Sequence, residues 1–166
     1  VYELWHFLRD NIPGFENSRV LSTAIQIGTR ESRMIDGEYC LTQEDLKNCV
    51  HFPDGIAAGN YDIDIHNPEG SGTSHYFFED GTWYTIPYRS LQPKNADNLL
   101  VAGRCISSTH EAQASYRIMP IVTTLGEAAG VAVAVANADH TGVKQADVKK
   151  IQATLEKNGA FTGLNA

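Results

Sequence analysis

The sequence has few cysteines and no arrangement of them that suggests a covalent or metal framework. Only 3 occur among 166 residues, Cys40, Cys49 and Cys105. An odd number without paired spacing argues against a disulfide scaffold and against a four-cysteine zinc site. We therefore expect reduced, buried thiols, because free cysteine is among the most buried residue types. This usage favours a reducing, cytoplasmic compartment.

Basic residues are also scarce relative to acidic ones. The chain has 13 Lys and Arg against 20 Asp and Glu, a net charge of −7 at pH 7. Nucleic-acid binders usually carry the opposite balance, because they neutralise phosphates, so we expect no nucleic-acid partner. No apolar run approaches the roughly 20 residues that cross a bilayer, so we expect no membrane contact. The chain begins without Met or a basic-then-apolar leader, which suggests a fragment or a processed chain.

What remains is an ordinary globular composition, with 42% hydrophobic and 20% charged residues over the length of one domain. Alternation of apolar and polar residues predicts strands at 20–27 and 61–66. Asp80-Gly81, between residues 76–79 and 82–86, predicts a β-hairpin with a tight turn.

Helices are predicted from apolar stripes and end signals. The first three cover residues 2–9, a short stretch from a Thr42 cap to about 50, and about 145–158. A fourth, at 119–137, is apolar almost all round and should be buried. Its Gly126 and Gly130 share a face, which suggests close approach of another backbone or a ligand. A membrane-dimer interpretation of that spacing is disfavoured by the helix's short length and by Glu127.

Between hairpin and long helix lies a continuous apolar run at 98–102, which predicts a strand covered on both faces in a parallel sheet. Gly103 follows at once, then a polar loop to about Ser115. Such a strand, loop and helix form a crevice where open α/β sheets bind cofactors. A plain structural unit without ligand remains the alternative.

The same region carries a family resemblance. It lies in IPYRSL at 86–91, NLLVAGRCIS at 98–107, HEA at 110–112 and SYRIMP at 115–120, with looser matches in IGTRESR at 27–33 and GEY at 37–39. These stretches resemble the C-terminal part of FAD-dependent oxidoreductases related to the flavin subunit of heterodisulfide reductase, which have the glutathione-reductase-type flavoprotein fold. The resemblance covers about residues 5–161. No G-x-G-x-x-G fingerprint occurs in the sequence, so the resemblance implies a C-terminal piece of a larger flavoprotein.

The resemblance implies a mixed α/β fold in two regions. Residues 1–97 would form a substrate-side β-sheet with a hairpin. Residues 98–166 would be the C-terminal segment of an FAD-binding domain, with its last parallel strand and the following helices. FAD would be bound in the full-length protein and not retained by this segment alone. The N-terminal FAD-binding part of the same protein would be a partner, and the uncovered long helix predicts self-association or an exposed apolar patch.

The resemblance also implies roles for individual residues. Gly103 and Arg104 would lie along the ribityl–pyrophosphate, and the loop from Ser107 to Ser115 would face the isoalloxazine. The helix after Met119, which carries Gly126, would aim its amino end at the flavin. The two catalytic candidates are His110, for proton transfer, and Arg117, beside the flavin pyrimidine; a structural, hydrogen-bonded His110 is the alternative.

Four residues are candidates on the substrate side: Arg30, His66, His75 and Arg89. Asp62 and Asp64 share a strand face with His66, which is typical of a solvated row or a pocket wall and less so of a metal site, so we expect no metal. Arg30 lies on an apparent strand with Glu31 and Arg33. Either an internal ion pair or the anchoring of an acidic substrate group would explain that cluster.

The resulting functional prediction is flavin-mediated hydride or electron transfer on an unidentified small-molecule substrate. One alternative is a non-catalytic packing or interaction domain. Another is a carbohydrate-active protein, since similar sequences are sometimes labelled xanthan lyase. The sequence has no Gly-x-Ser-x-Gly motif for a serine nucleophile.

Overall fold

The computed structural model describes residues 1–66 and 72–164. Within them the chain is a mixture of helices and small antiparallel sheets, consistent with an α/β fold. The helices are α1 Tyr2–Asn11, α2 Gln43–Lys47, α3 His110–Tyr116, α4 Met119–Ala138 and α5 Val148–Lys157, and the strands are β1 Gly55–Gly59, β2 Ile63–His66, β3 Thr73–Tyr76 and β4 Tyr84–Pro87. Single 3-10 turns occur at Tyr88–Leu91 and Val143–Gln145.

The four strands form two separate two-stranded sheets, β1 with β4 and β2 with β3, both antiparallel. The predicted hairpin across Asp80-Gly81 is therefore wrong in its pairing. The turn itself exists, but only Gly81 has a positive φ, +80°, whereas the tight hairpin turn needs two. Every residue of β4 is buried, and it pairs with β1, which is largely buried, while β3 stays at the surface.

Two other predicted strands are irregular in the structure. The segment 20–27 forms no strand, and its apolar Leu21, Ile25 and Ile27 are exposed, because no described strand lies beside it. The adjoining segment with Arg30 is irregular as well. Residues 98–102 are not a strand covered on both faces, since Leu99 is 48% exposed. The amide of Val101 donates to the Leu91 carbonyl at 2.9 Å, but a strand needs such bonds along its length.

Helix α4 runs through the core and buries one of its sides there. Its buried side chains recur every three or four residues and pack against β1 and α5: Ile121, Leu125, Ala128, Ala132 and Ala136. The prediction that it is buried all round is wrong, because the described residues fully cover only this stripe and leave the opposite side of the helix partly or fully exposed. Gly126 and Gly130 are exposed, and nothing lies within 4 Å of where a Cβ on either would be. The close approach expected there is not made by the described part of this chain.

The bounds of α4 agree with the prediction to within one residue, but its length contradicts the view that it is too short to cross a membrane. With 20 residues it extends about 30 Å. By length and composition it would suffice to cross a membrane, among the described residues, so the view that it is too short was wrong. Core helices of globular proteins meet the same criterion, and this helix contributes five side chains to the core.

The remaining helix predictions were largely confirmed. Helix α2 begins at the predicted Thr42 cap, where Thr42 and Asp45 form a reciprocal capping box. Helices α1 and α5 lie within two or three residues of their predicted bounds. The polar loop after Gly103 was wrong in part, because α3 occupies His110–Tyr116. Helix α3 is capped at its amino end by Thr109, whose side chain accepts a hydrogen bond from the Ala112 amide.

The three cysteines are free thiols. Cys40 is exposed, and Cys49 and Cys105 are partly exposed, so the expectation of buried thiols was wrong. Among the described residues, the largest fully buried side chains are those of three tyrosines, Tyr84, Tyr88 and Tyr116.

Candidate functional site

A cavity of about 460 Å³ lies where the segment before β2, the residues after Gly103 and the start of α4 meet. Three of its lining residues are arginines. The lining consists of Arg30, Tyr61, Arg104, Arg117, Ile118, Met119 and Pro120. No aspartate or glutamate is among these lining residues, so the wall carries an excess of positive charge.

Two of the arginines are held by backbone carbonyls. Arg104 donates from Nη1 to the Thr29 carbonyl at 3.0 Å, and Arg117 donates from Nη2 to the Asp64 carbonyl at 3.0 Å. Burial lowers the pKa of the Arg117 guanidinium, and the nearby charge of Arg30 lowers it further, while Asp64 and Glu31 act in the opposite direction. The group stays protonated at any ordinary pH. The wall therefore consists of fixed cations with some unused donors.

The amino end of α4 contributes to the same wall. Ile118 is the residue before the helix, and it provides no side-chain cap, while Pro120 is in the first turn. Both line the cavity with Met119. The first amides of a helix lack partners within it and carry partial positive charge, so they favour an anion. A helix of 20 residues presents this end to the cavity beside the arginines.

Tyr61 is fixed to α3 through a buried hydroxyl pair. Ser115 donates to the Tyr61 carbonyl, and the hydroxyl of Tyr84 lies 2.7 Å from the same serine oxygen. Ser115 and Tyr84 are both fully buried. Ser115 thus supports the cavity wall from behind instead of lining it.

A glutamate–histidine pair lies next to the cavity. The Nδ1 atom of His110 is 2.6 Å from a carboxylate oxygen of Glu31. Glu31 follows Arg30 in the chain, and the Gln113 side chain of α3 donates to the Arg30 carbonyl at 2.9 Å. His110 is itself half exposed and does not line the cavity.

The other substrate-side candidates lie elsewhere. His75 contacts Asp62 at 3.2 Å and Asp64 at 3.7 Å across the β2–β3 pair. His66 ends β2, and its side chain is outside the described part of the structure. Arg89 makes a two-pronged ion pair with Asp54, at 2.9 and 3.1 Å, and stacks on an aromatic ring, which indicates a structural role. Among the described residues no group of three or more His, Cys, Asp or Glu is arranged to hold a metal ion.

The structure therefore brings together only some of the residues named from the sequence. Arg30, Arg104, Arg117 and Met119 share the cavity. Gly103, adjacent to Arg104, has φ +121°, which requires glycine.

Two residues predicted to bind the cofactor, Ser107 and Gly126, do not line the cavity. Ser107 is buried against Gly37, and Gly126 is on the outward side of α4. Sequence reasoning missed Tyr61, Ile118 and Pro120 as wall residues and Glu31 as the partner of His110. The predicted helix start at Met119-Pro120 was the one available signal for two of them.

The donor set of the cavity fits the negatively charged parts of a flavin nucleotide. Arginine guanidinium groups pair with phosphate, and a helix amino end stabilises an anion, such as the reduced flavin ring. Tyr61, Ile118 and Met119 supply apolar and aromatic surface for a planar ring. The residues present fit the group at this end of the molecule.

Comparison with known proteins agrees with this chemistry. The family model for FAD dependent oxidoreductase matches residues 1–155. No curated protein and no solved structure matches the chain. Since the family match spans most of the sequence, the chain belongs to the FAD-dependent oxidoreductase family.

Proposed function

We propose that this chain forms the flavin-facing and substrate-side part of an oxidoreductase that transfers hydride or electrons between bound FAD and a small molecule. The observation that carries the proposal is the cavity at which Arg30, Arg104, Arg117 and the amino end of α4 converge without an acidic residue in its lining. The family match supports flavin-dependent redox chemistry in general.

FAD, when bound, supplies the acceptor and donor of two electrons. The role of the chain is to favour the charge that the ring gains on reduction. Arg117 is held by the Asp64 carbonyl, so its charge is fixed in place before any reaction. The helix amino end adds a stabilisation of about 0.3 to 1 kcal/mol for an anion at an exposed site. Gly103 and Arg104 would lie along the ribityl–pyrophosphate.

The pair of Glu31 and His110 would handle the proton. An ionised Glu31 only accepts hydrogen bonds, so the Nδ1 atom of His110 carries the hydrogen between them at 2.6 Å. In the neutral ring this leaves Nε2 with a lone pair, able to take a proton from a substrate. Because His110 lies next to the cavity and does not line it, it would act as a base at the edge of the site, with its ring oriented by Glu31.

The adenosine half of FAD would be bound by another part of the same protein, N-terminal to this chain, because the dinucleotide fingerprint does not occur in these 166 residues. Residues 98–102 and the outward side of α4, both open in this structure, would be covered by that part or by a second copy. The closer relation to heterodisulfide reductase and the division at residue 97 belong to the same proposal.

The test is the reduction potential of the flavin in the full-length protein, measured by spectroelectrochemical titration. Replacing Arg117 by Gln removes a cation beside the reduced ring, so reduction should become harder. We expect the midpoint potential to fall by tens of millivolts, where 30 mV corresponds to about 1.4 kcal/mol for a two-electron couple. Arg33→Gln is the matched control, because Arg33 is exposed and does not line the cavity.

The companion variant His110→Gln should change the pH dependence of turnover more than the potential. A full-length protein without flavin absorbance near 450 nm, or an unchanged potential in Arg117→Gln, would contradict the proposal. The non-catalytic alternative predicts the first of these results.

A further inference from the structure

The positive charge of the cavity lining exceeds what the residues in the described part of the chain neutralise. The acceptors of Arg104 and Arg117 are carbonyl oxygens, which satisfy a hydrogen bond without supplying a negative charge. The guanidinium of Arg30 makes no hydrogen bond or ion pair with the residues that the structure describes. The internal ion pair that could have explained Arg30 is thus not formed with these residues.

The carboxylates closest to the cavity are engaged with histidines. Glu31, next to Arg30 in the chain, contacts His110 at 2.6 Å. Asp64 lies 3.7 Å from His75 and is 9% exposed. Neither side chain lines the cavity. Like charges around one space repel each other, and the lowered pKa of Arg117, caused by burial and then by Arg30, is consistent with repulsion between these two arginines.

We infer that the cavity binds a substrate bearing a carboxylate or phosphate group, and that Arg30 is the residue that recognises it. The planar fork of arginine matches both groups with two parallel hydrogen bonds. Arg104 and Arg117 each use a nitrogen on a backbone carbonyl, whereas the whole fork of Arg30 remains for the ligand. A cavity of about 460 Å³ is of the size that holds a small molecule.

The inference rests on the proposed function, and it names the substrate class for the same site. The anionic group that Arg30 binds could belong to either of two molecules, an acidic substrate or FAD through its phosphates. The two predict different behaviour of an Arg30 variant. A substrate anchor leaves the bound flavin in place and loses the added anion, whereas a cofactor anchor loses the flavin.

The experiment uses the flavin-loaded, full-length protein and two probes, succinate and inorganic phosphate. Binding is measured by calorimetry and by the change in flavin absorbance on titration. We expect saturable binding of at least one probe in the wild type, weakened about tenfold or more in Arg30→Gln. Arg30→Lys, which keeps the charge but loses the fork, should weaken binding less than Arg30→Gln. Arg33→Gln, three positions away and exposed, should bind as the wild type does.

The outcomes separate the inference from the proposed function. Absence of saturable binding, or equal weakening in Arg30→Gln and Arg33→Gln, would overturn the inference. Loss of flavin absorbance in Arg30→Gln would also overturn it, because Arg30 would then hold the cofactor. A protein that contains no flavin but still binds a probe through Arg30 would refute the proposed function and retain the anion site.

Discussion

Removal of the Ser115 hydroxyl should cost more stability than removal of the Tyr84 hydroxyl, although the two share one hydrogen bond. The Ser115 proton goes to the Tyr61 carbonyl, which accepts only, so the Tyr84 hydroxyl must donate to the serine oxygen, 2.7 Å away. Burial raises the pKa of Tyr84, so it remains a protonated donor. The direction of these two hydrogen bonds therefore determines how much each substitution lowers the free energy of unfolding.

Tyr84→Phe removes a donor and leaves no buried hydrogen without an acceptor, so we expect a loss of about 0.5 to 1.5 kcal/mol in the free energy of unfolding. Ser115→Ala leaves the fully buried Tyr84 hydroxyl without its acceptor and frees the Tyr61 carbonyl. An unsatisfied buried group costs about 1 to 3 kcal/mol, to which the lost bond is added. A loss of 1 kcal/mol lowers Tm by about 2 to 4 °C in a chain of this size.

The double variant distinguishes this reasoning from simple loss of packing. In the Ser115→Ala background, Tyr84→Phe removes the unsatisfied hydroxyl, so it should be neutral or stabilising. Urea unfolding of all four proteins, followed by circular dichroism, gives the coupling energy. Additive losses, or a greater loss for Tyr84→Phe alone than for Ser115→Ala alone, would refute the reasoning.

Two further predictions concern the core. Gly59→Ala should lower the free energy of unfolding by about 1 to 3 kcal/mol in urea unfolding, because a Cβ there would lie 2.6 Å from the Ile121 side chain. Gly126→Ala should instead raise it by up to about 1 kcal/mol, because nothing lies within 4 Å of a Cβ at that position. Equal effects of the two substitutions would contradict the packing. Burial raises the pKa of Tyr88 to about 12, so the folded state keeps a proton that the unfolded chain loses, and this residue should lower the free energy of unfolding between about pH 10 and 12 by up to about 1.4 kcal/mol per pH unit. Tyr39, Tyr84 and Tyr116, whose pKa values burial also raises, act in the same direction. Tyr88→Phe should therefore make the decline less steep by the share of this one residue in urea unfolding across this range, and an unchanged slope would contradict it.

Local signals in the sequence predicted four of the helices in the described residues but missed α3, and they predicted the sheets poorly. The Thr42 cap and the apolar stripe of α5 depend on residues within one or two turns, which the sequence displays directly. Strand pairing depends on distant partners. Tyr84–Pro87 pairs with Gly55–Gly59, some 30 residues away, and the turn at Gly81 gave no sign of that choice.

The sequence predicted site residues only where they lie close together in the chain, next to a recognisable helix start. Arg117 and Met119 are next to the start of α4, so the helix brings them to one end together. Arg30 and Tyr61 join the same cavity from irregular segments, which have no periodic pattern to reveal their neighbours. The strand predicted from the alternation at 20–27 was wrong for a related reason. Apolar spacing indicates that one face of a segment is suited to burial, but it does not indicate which other segment would bury that face.

The location of the flavin is the central claim, and photolabelling tests it most directly. The full-length protein would be loaded with FAD that carries a photoreactive azide on its ring system, irradiated, digested with trypsin and analysed by mass spectrometry. Cleavage after Arg104 and Arg117 separates residues 105–117 from the peptide that begins at Ile118. The account predicts labels within residues 105–122, in one or both of these peptides. Labels confined to other parts of the protein would contradict it.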